Sequence, residues 1–187
     1  MASDRNDERL AAPGNLELVR DFVNTLDILP GTDEFEDPAG LALWLADHRL
    51  VPSSPSLTNE DLARARRLRE ALRAFLLANA GFPLDPGAAA AFDDAAGPAR
   101  LRASADEEGW LELLPAEEDG LGRAIGRLVS IAFAAQQDGT WSRLKVCAEC
   151  HWALYDHTKN YSAAWCGSQC GARVRSRRYR QRRSSPA

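Results

Sequence analysis

The chain has 187 residues, enough for one ordinary domain and a small appendage. Hydrophobic residues at 45% and charged residues at 27% exclude a disordered polymer, and no run approaches the roughly 18 apolar residues that a membrane span needs. The net charge of −4 hides a split: residues 141–187 hold ten Lys/Arg against two acids, a balance of +8, and residues 1–140 stand at −12. Such a split implies two modules, the basic one with an anionic partner.

Residues 1–14 read as a disordered polar tail. They have neither the basic start nor the apolar middle of a secretory signal, so a soluble, cytoplasmic protein is expected. A helix follows from Asn15, with Leu18, Val19, Phe22, Val23 and Leu26 at three- and four-residue steps, and Pro30-Gly31 ends the run. The segment TDEFED reads as an acidic loop. Asp37-Pro38 then predicts a helix start, with an acceptor at the cap and proline at the first helical position. Leu41, Trp44 and Leu45 form its apolar stripe, and His48 stands at its end, where the helix dipole favours it.

Thr58 and Asp61 form a capping-box pattern. They open a long helix carrying Leu62, Ala65, Leu68, Leu72 and Phe75, which stops at Gly81. Its Arg64, Arg66, Arg67, Arg69 and Arg73 read as a solvated face, since no aromatic residues interleave with them. A short Ala-rich helix covers 86–96. The period then changes to two, at Leu101 and Ala103 and again at Leu111 and Leu113 across DEEG, which predicts one β-hairpin. A last body helix runs from about 118 to 138 and ends at Gly139. The fold class is α+β, mostly α, with a helical domain over 15–140 and a separate module over 141–187. No phosphate loop, nucleophile elbow or metalloprotease motif occurs in the body, so no enzyme is expected.

The terminal module carries all four cysteines as Cys147-x2-Cys150 and Cys166-x3-Cys170, fifteen residues apart. In a reducing compartment, paired cysteines at this spacing bind metal rather than each other. Zinc takes four thiolates in a tetrahedron, and a site with four protein ligands is structural, with no position open to water. His151 and His157 are then superfluous as ligands. Trp152, Leu154 and Tyr155 read as a strand, residues 156–160 as a turn, Tyr161 to Trp165 as a returning strand, and a helix follows from about Gly167. The layout is treble-clef-like, with one zinc ion in place of a core that 47 residues cannot build alone.

At these residues the chain resembles the CGNR zinc-finger family. The resemblance rests on RLKVC at 143–147, WALYD at 152–156, HTKNYS at 157–162, Trp165-Cys166, and Cys170-Gly171-x-Arg173 before an Arg-rich helix. DFVNTLD at 21–27, with the helices after it, is similar to the ABATE-type domain that usually precedes this finger. Proteins of this kind are described as stress-induced transcription regulators, so the resemblance implies zinc binding and DNA binding. The chain departs from the pattern at Ala172, where the family tetrapeptide has Asn, and in two cysteine gaps shorter than the usual four residues.

The terminal helix carries Arg173, Arg175, Arg177, Arg178, Arg180, Arg182 and Arg183. Arg173, Arg177 and Arg180 share one face by the helical step, and Arg175, Arg178 and Arg182 the adjacent one. These arginines, with Lys159 of the turn, are the candidate nucleic-acid contacts, and double-stranded DNA is the expected partner. The helical domain would sense a signal, form a homodimer or contact another protein. Two alternatives stand beside this: an RNA-binding or protein-interaction module without transcriptional output, and a basic helix docked on the protein's own acidic body.

Overall fold

The computed structural model describes residues 8–52 and 55–184. In chain order its regular elements are α1 (Leu16–Asn24), β1 (Leu26–Asp27), β2 (Thr32–Asp33), α2 (Pro38–Asp47), α3 (Asn59–Asn79), α4 (Ala88–Ala96), β3 (Leu101–Ala105), β4 (Leu111–Pro115), α5 (Gly120–Gln137), β5 (Leu144–Val146), β6 (Ala153–Tyr155) and α6 (Ser168–Ser184). The strands form three separate antiparallel pairs, β1 with β2, β3 with β4 and β5 with β6. The class is the expected α+β, mostly helical.

The local signals in the sequence act as their chemistry dictates. The Asp37 carboxylate accepts from the Gly40 N–H at 2.8 Å, with Pro38 in the first turn of α2. Thr58 and Asp61 close a reciprocal capping box on α3. Gly81 at φ 90° and Gly139 at φ 81° follow α3 and α5 in the left-handed region, which glycine enters without a Cβ penalty. Ala103 faces Leu113 in the β3–β4 hairpin. That hairpin lies close against α5, because a Cβ on Gly126 would come within 3.3 Å of Pro115.

Four expectations change. Of the tail expected at 1–14, residues 1–7 lie outside those described, but Glu8–Leu10 make a 3-10 turn and Ala12 is buried. The acidic loop TDEFED contains β2, and its Phe35 is fully buried among Phe22 and Trp44. No strand returns over 161–165. The partner of β6 is β5, upstream of the first cysteine pair, with Leu144 opposite Tyr155 and Val146 opposite Ala153.

The fourth change concerns the α3 arginines, of which Arg67 alone is exposed as a solvated face requires. Arg69 and Arg73 are buried at 2% and 3% exposure. Arg69 forks onto Asp33 at 2.6 and 2.9 Å and lies over the Phe35 ring. Arg73 donates to the carbonyls of Val23 and His151 and to Glu70. Burial lowers the Arg73 pKa, and the Glu70 carboxylate works against that shift. Arg64 and Arg66 donate to the carbonyls of Ala95 and Phe35, and Arg67 pairs with Asp94. A buried guanidinium is tolerated when acceptors meet it, and Arg69 finds carboxylates and the Thr25 hydroxyl while Arg73 also braces backbone.

One of these bonds, from Arg73 to His151 O, helps to fix the second module onto the first. Leu144, Val146, Ala153 and Tyr155 belong to the same apolar cluster as α1, α3 and α5. Asn24 pairs with the outer edge of β6, its amide donating to Ala153 O at 3.0 Å and its oxygen accepting from Ala153 N–H at 2.7 Å. Asn79 donates to the carbonyls of Trp141 and Leu144, both at 2.9 Å. Replacing Asn24 by Ala strips both backbone groups of a buried residue, which costs about 2 kcal/mol. Calorimetry should show a melting temperature lower by about 5 °C, in a single transition that includes the finger. An unchanged transition would mean that the edge of β6 needs no partner.

Candidate metal centre and nucleic-acid interface

Cys147 follows β5 directly, so the strand aims its thiol inward. The turn to Cys150 closes through His151 N–H onto Cys147 O and Cys147 N–H onto Trp152 O, both 2.9 Å. His151 takes φ 57° to leave the turn, and the backbone carbonyl there receives Arg73 from the body. Cys166 and Cys170 flank the first turn of α6, four residues apart on one face. A treble-clef-like layout results, with a knuckle inside the β5–β6 hairpin and a helix start facing it.

All four Sγ atoms lie within 4.8 Å of one another and all four residues are buried. Cys150 and Cys166 are separated by 3.5 Å and Cys166 and Cys170 by 3.7 Å. A tetrahedron with Zn–S bonds of about 2.3 Å has S···S edges of about 3.8 Å, so the spacing fits zinc. Hydrogen bonds from the Cys150 and Cys166 thiols favour the Cys147 thiolate, while the same contacts push Cys150 up to about 12 and Cys166 higher still. Four thiolates this close cannot share a site without a cation between them, and a divalent soft-accepting ion supplies that charge. Burial leaves no place for a water ligand, so the zinc is structural. Neither His151 nor His157 joins the group; His157 Nε2 lies 2.8 Å from Ala11 O.

Between the cysteine pairs, Asp156 organises the turn. It is fully buried and accepts from Lys145 Nζ at 2.9 Å, Thr158 N–H at 2.9 Å and Ala163 N–H at 3.0 Å. Burial alone would raise its carboxyl; the bonds from Lys145, Thr158 and Ala163 outweigh that and hold it at about 2. Arg143 stacks 3.8 Å over the Tyr161 ring and donates to the carbonyls of Asp156 and Thr158. Lys159 is exposed on this braced turn.

The helix α6 is buried at its base, at Cys170 and Gly171, and Val174 is half-buried. From Arg175 to Arg183 every residue is exposed, through about two and a half turns and so on every side. All seven arginines of the sequence reading are therefore brought onto one exposed helix. It is not laid on the acidic body, as the docking alternative expected. Arg177 instead pairs with both oxygens of Glu149, inside the finger. Glu149, Ala172, Arg173, Ser176, Arg177 and Arg180 line an open groove along one face. Ala172, the departure from the family tetrapeptide, lies on that face.

The sequence reading missed Asn24, Asn79, Lys145, Asp156 and Glu149. Asn79 had a signal, a polar side chain at a helical step that apolar residues otherwise fill. Glu149 also had one, as one of two acids in a strongly basic module.

These features define a class: a helical domain that holds a four-thiolate zinc finger with a projecting basic helix. Residues 16–138 match the ABATE family model, described as "Putative stress-induced transcription regulator", and residues 143–183 match the CGNR zinc finger. The chain belongs to the ABATE family and carries the CGNR finger that the sequence resembled. No curated protein matches it significantly. Among the described residues no helix is long and apolar enough to cross a membrane.

Metal analysis should find one zinc per chain in the native protein and none after Cys166→Ser. Because Asp156 titrates below the ordinary carboxylate range, its bonds stabilise the fold fully above about pH 4 and progressively less as the pH falls towards 2. The stability difference between the native protein and Asp156→Asn should therefore shrink over that window in chemical denaturation. A difference that stays flat from pH 5 to 2 would show that Asp156 does not act as a carboxylate here.

Proposed function

We propose that the protein is a zinc-dependent DNA-binding regulator, in which Cys147, Cys150, Cys166 and Cys170 hold the ion and α6 meets duplex DNA. The observation that supports this most is the arginine helix exposed on every side from Arg175 onward. Its arginines are presented outward, where an anionic partner can meet them. A duplex major groove is about 12 Å wide, which matches one helix with side chains, and its two walls are phosphates. Arg175, Arg178 and Arg182 would face one wall, with Lys159 reaching phosphate from the turn. The arginines on the groove face would reach the base edges.

The helical body is proposed to receive the signal, to dimerise or to bind a second protein. Its bonds from Arg73 and Asn24 onto the finger give any change in the body a route to α6.

Duplex binding should weaken steeply with salt, with a log–log slope of several units, each neutralised phosphate adding roughly 0.9. Arg175, Arg178 and Arg182 changed together to Ala should flatten that slope by about 3 units, and Arg67→Ala should leave it unchanged. Retention of single-stranded RNA or of a protein, with no duplex binding at low salt, would instead support the interaction-module reading.

A further inference from the structure

We propose that Glu149 gives α6 its base preference by fixing Arg177 as a guanine-reading fork; this rests on the duplex-binding reading above. Residues 141–187 contain two acids, and Asp156 is fully buried and consumed by Lys145, Thr158 and Ala163. Glu149 is the other, and it stands in the groove beside Arg173, Arg177 and Arg180. On a surface that only attracted phosphate, this carboxylate would be a liability. It cancels one positive charge and repels the backbone.

Its geometry supplies a different use. The Glu149 side chain is 12% exposed and the Arg177 side chain 54%, so the carboxylate is held in the protein while the guanidinium faces out. Both carboxylate oxygens take the end of the guanidinium, with Nη1 at 3.3 Å and Nη2 at 2.5 Å. The side formed by Nε–H and the second Nη2–H is not the side that Glu149 takes. That side presents two parallel donors, the pattern that matches the O6 and N7 acceptors of guanine in the major groove. A guanidinium free to swing prefers phosphate, whereas one clamped at its end has lost that freedom before binding. The neighbouring Ala172 is too short to obstruct the approach. Arg173 and Arg180, one turn to either side on the same face, would reach the base edges that flank it.

The inference makes affinity and preference move in opposite directions. Full-length zinc-loaded protein is selected against a randomised duplex library at about 150 mM salt. The native protein should return a motif with an invariant G·C pair. Glu149→Gln should bind an unrelated duplex more tightly, by a few-fold, and lose about ten-fold or more of its discrimination at that pair. Arg177→Lys keeps the charge and abolishes the fork, so it should lose the same discrimination with its salt slope unchanged. Zinc content near one per chain in both variants establishes that the finger is folded. A role in folding alone would lower binding to all duplexes together.

The inference is overturned if Glu149→Gln returns the native motif. It is also overturned if the native protein binds the library with a steep salt dependence but selects no G·C pair, a result that leaves the DNA-binding reading standing. No duplex binding by the native protein at any salt removes both.

Discussion

The constraint on which the structure depends is that the β5–β6 hairpin cannot cover its own faces. One face closes over the four thiols, where Leu154 packs with the cysteines. The other presents Leu144, Val146 and Tyr155, which need apolar neighbours that a 47-residue module lacks. The helical body supplies them. It also supplies the polar partners that a two-stranded sheet leaves unmet, since each strand has an open edge. Asn24 takes the edge of β6, Asn79 the end of β5, and Arg73 the carbonyl of the knuckle. The finger is thus assembled half by zinc and half by protein, and the division into body and finger that charge suggests is not a division of the hydrophobic core.

That arrangement explains why the α3 arginines are buried in a helix that reads as amphipathic and solvated. Arg69 and Arg73 are four residues apart and flank the stripe of Leu68, Leu72 and Leu76. They point into the gap between β2, the end of α1 and the knuckle, where backbone carbonyls have no strand to meet. Arginine suits the place because its rigid planar fork can satisfy several acceptors at once. The cost of burying it is offset by Asp33 and Glu70, with Asp33 itself held below its usual range because bonds from Arg69 outweigh burial.

Much of this protein was legible in its sequence, and the limits have physical reasons. Caps, proline positions and glycine stops are local chemistry, so the starts of α2 and α3 and the ends of α3 and α5 could be read directly. The cysteine spacing encodes a local geometry in the same way, and the thiols meet as expected. What could not be read is long-range pairing. Nothing adjacent to Asn24 announces that it bonds Ala153, 129 residues away. The strand partner of β6 is hidden for the same reason: 161–165 is near in sequence, but Lys145 and Arg143 tie that stretch down as a braced turn around Asp156. The arginines of α6 were legible as a basic helix, and their isolation from the body was not.

That isolation changes what the charge split means. An acidic body close to a basic helix could neutralise it, and α6 would then lie along the body with its arginines paired there. It projects instead, exposed on every side from Arg175 onward. If the proposed reading holds, the body would repel a polyanion while α6 attracts it, so the two fields together would orient an approaching duplex towards the far end of the helix. On the proposed reading, the acidic domain thereby narrows the ways in which DNA can be met without touching it. On the same reading, an acid inside the binding face, where Glu149 stands, would lie directly against phosphate. It is tolerable only if it engages a guanidinium, as it does with Arg177.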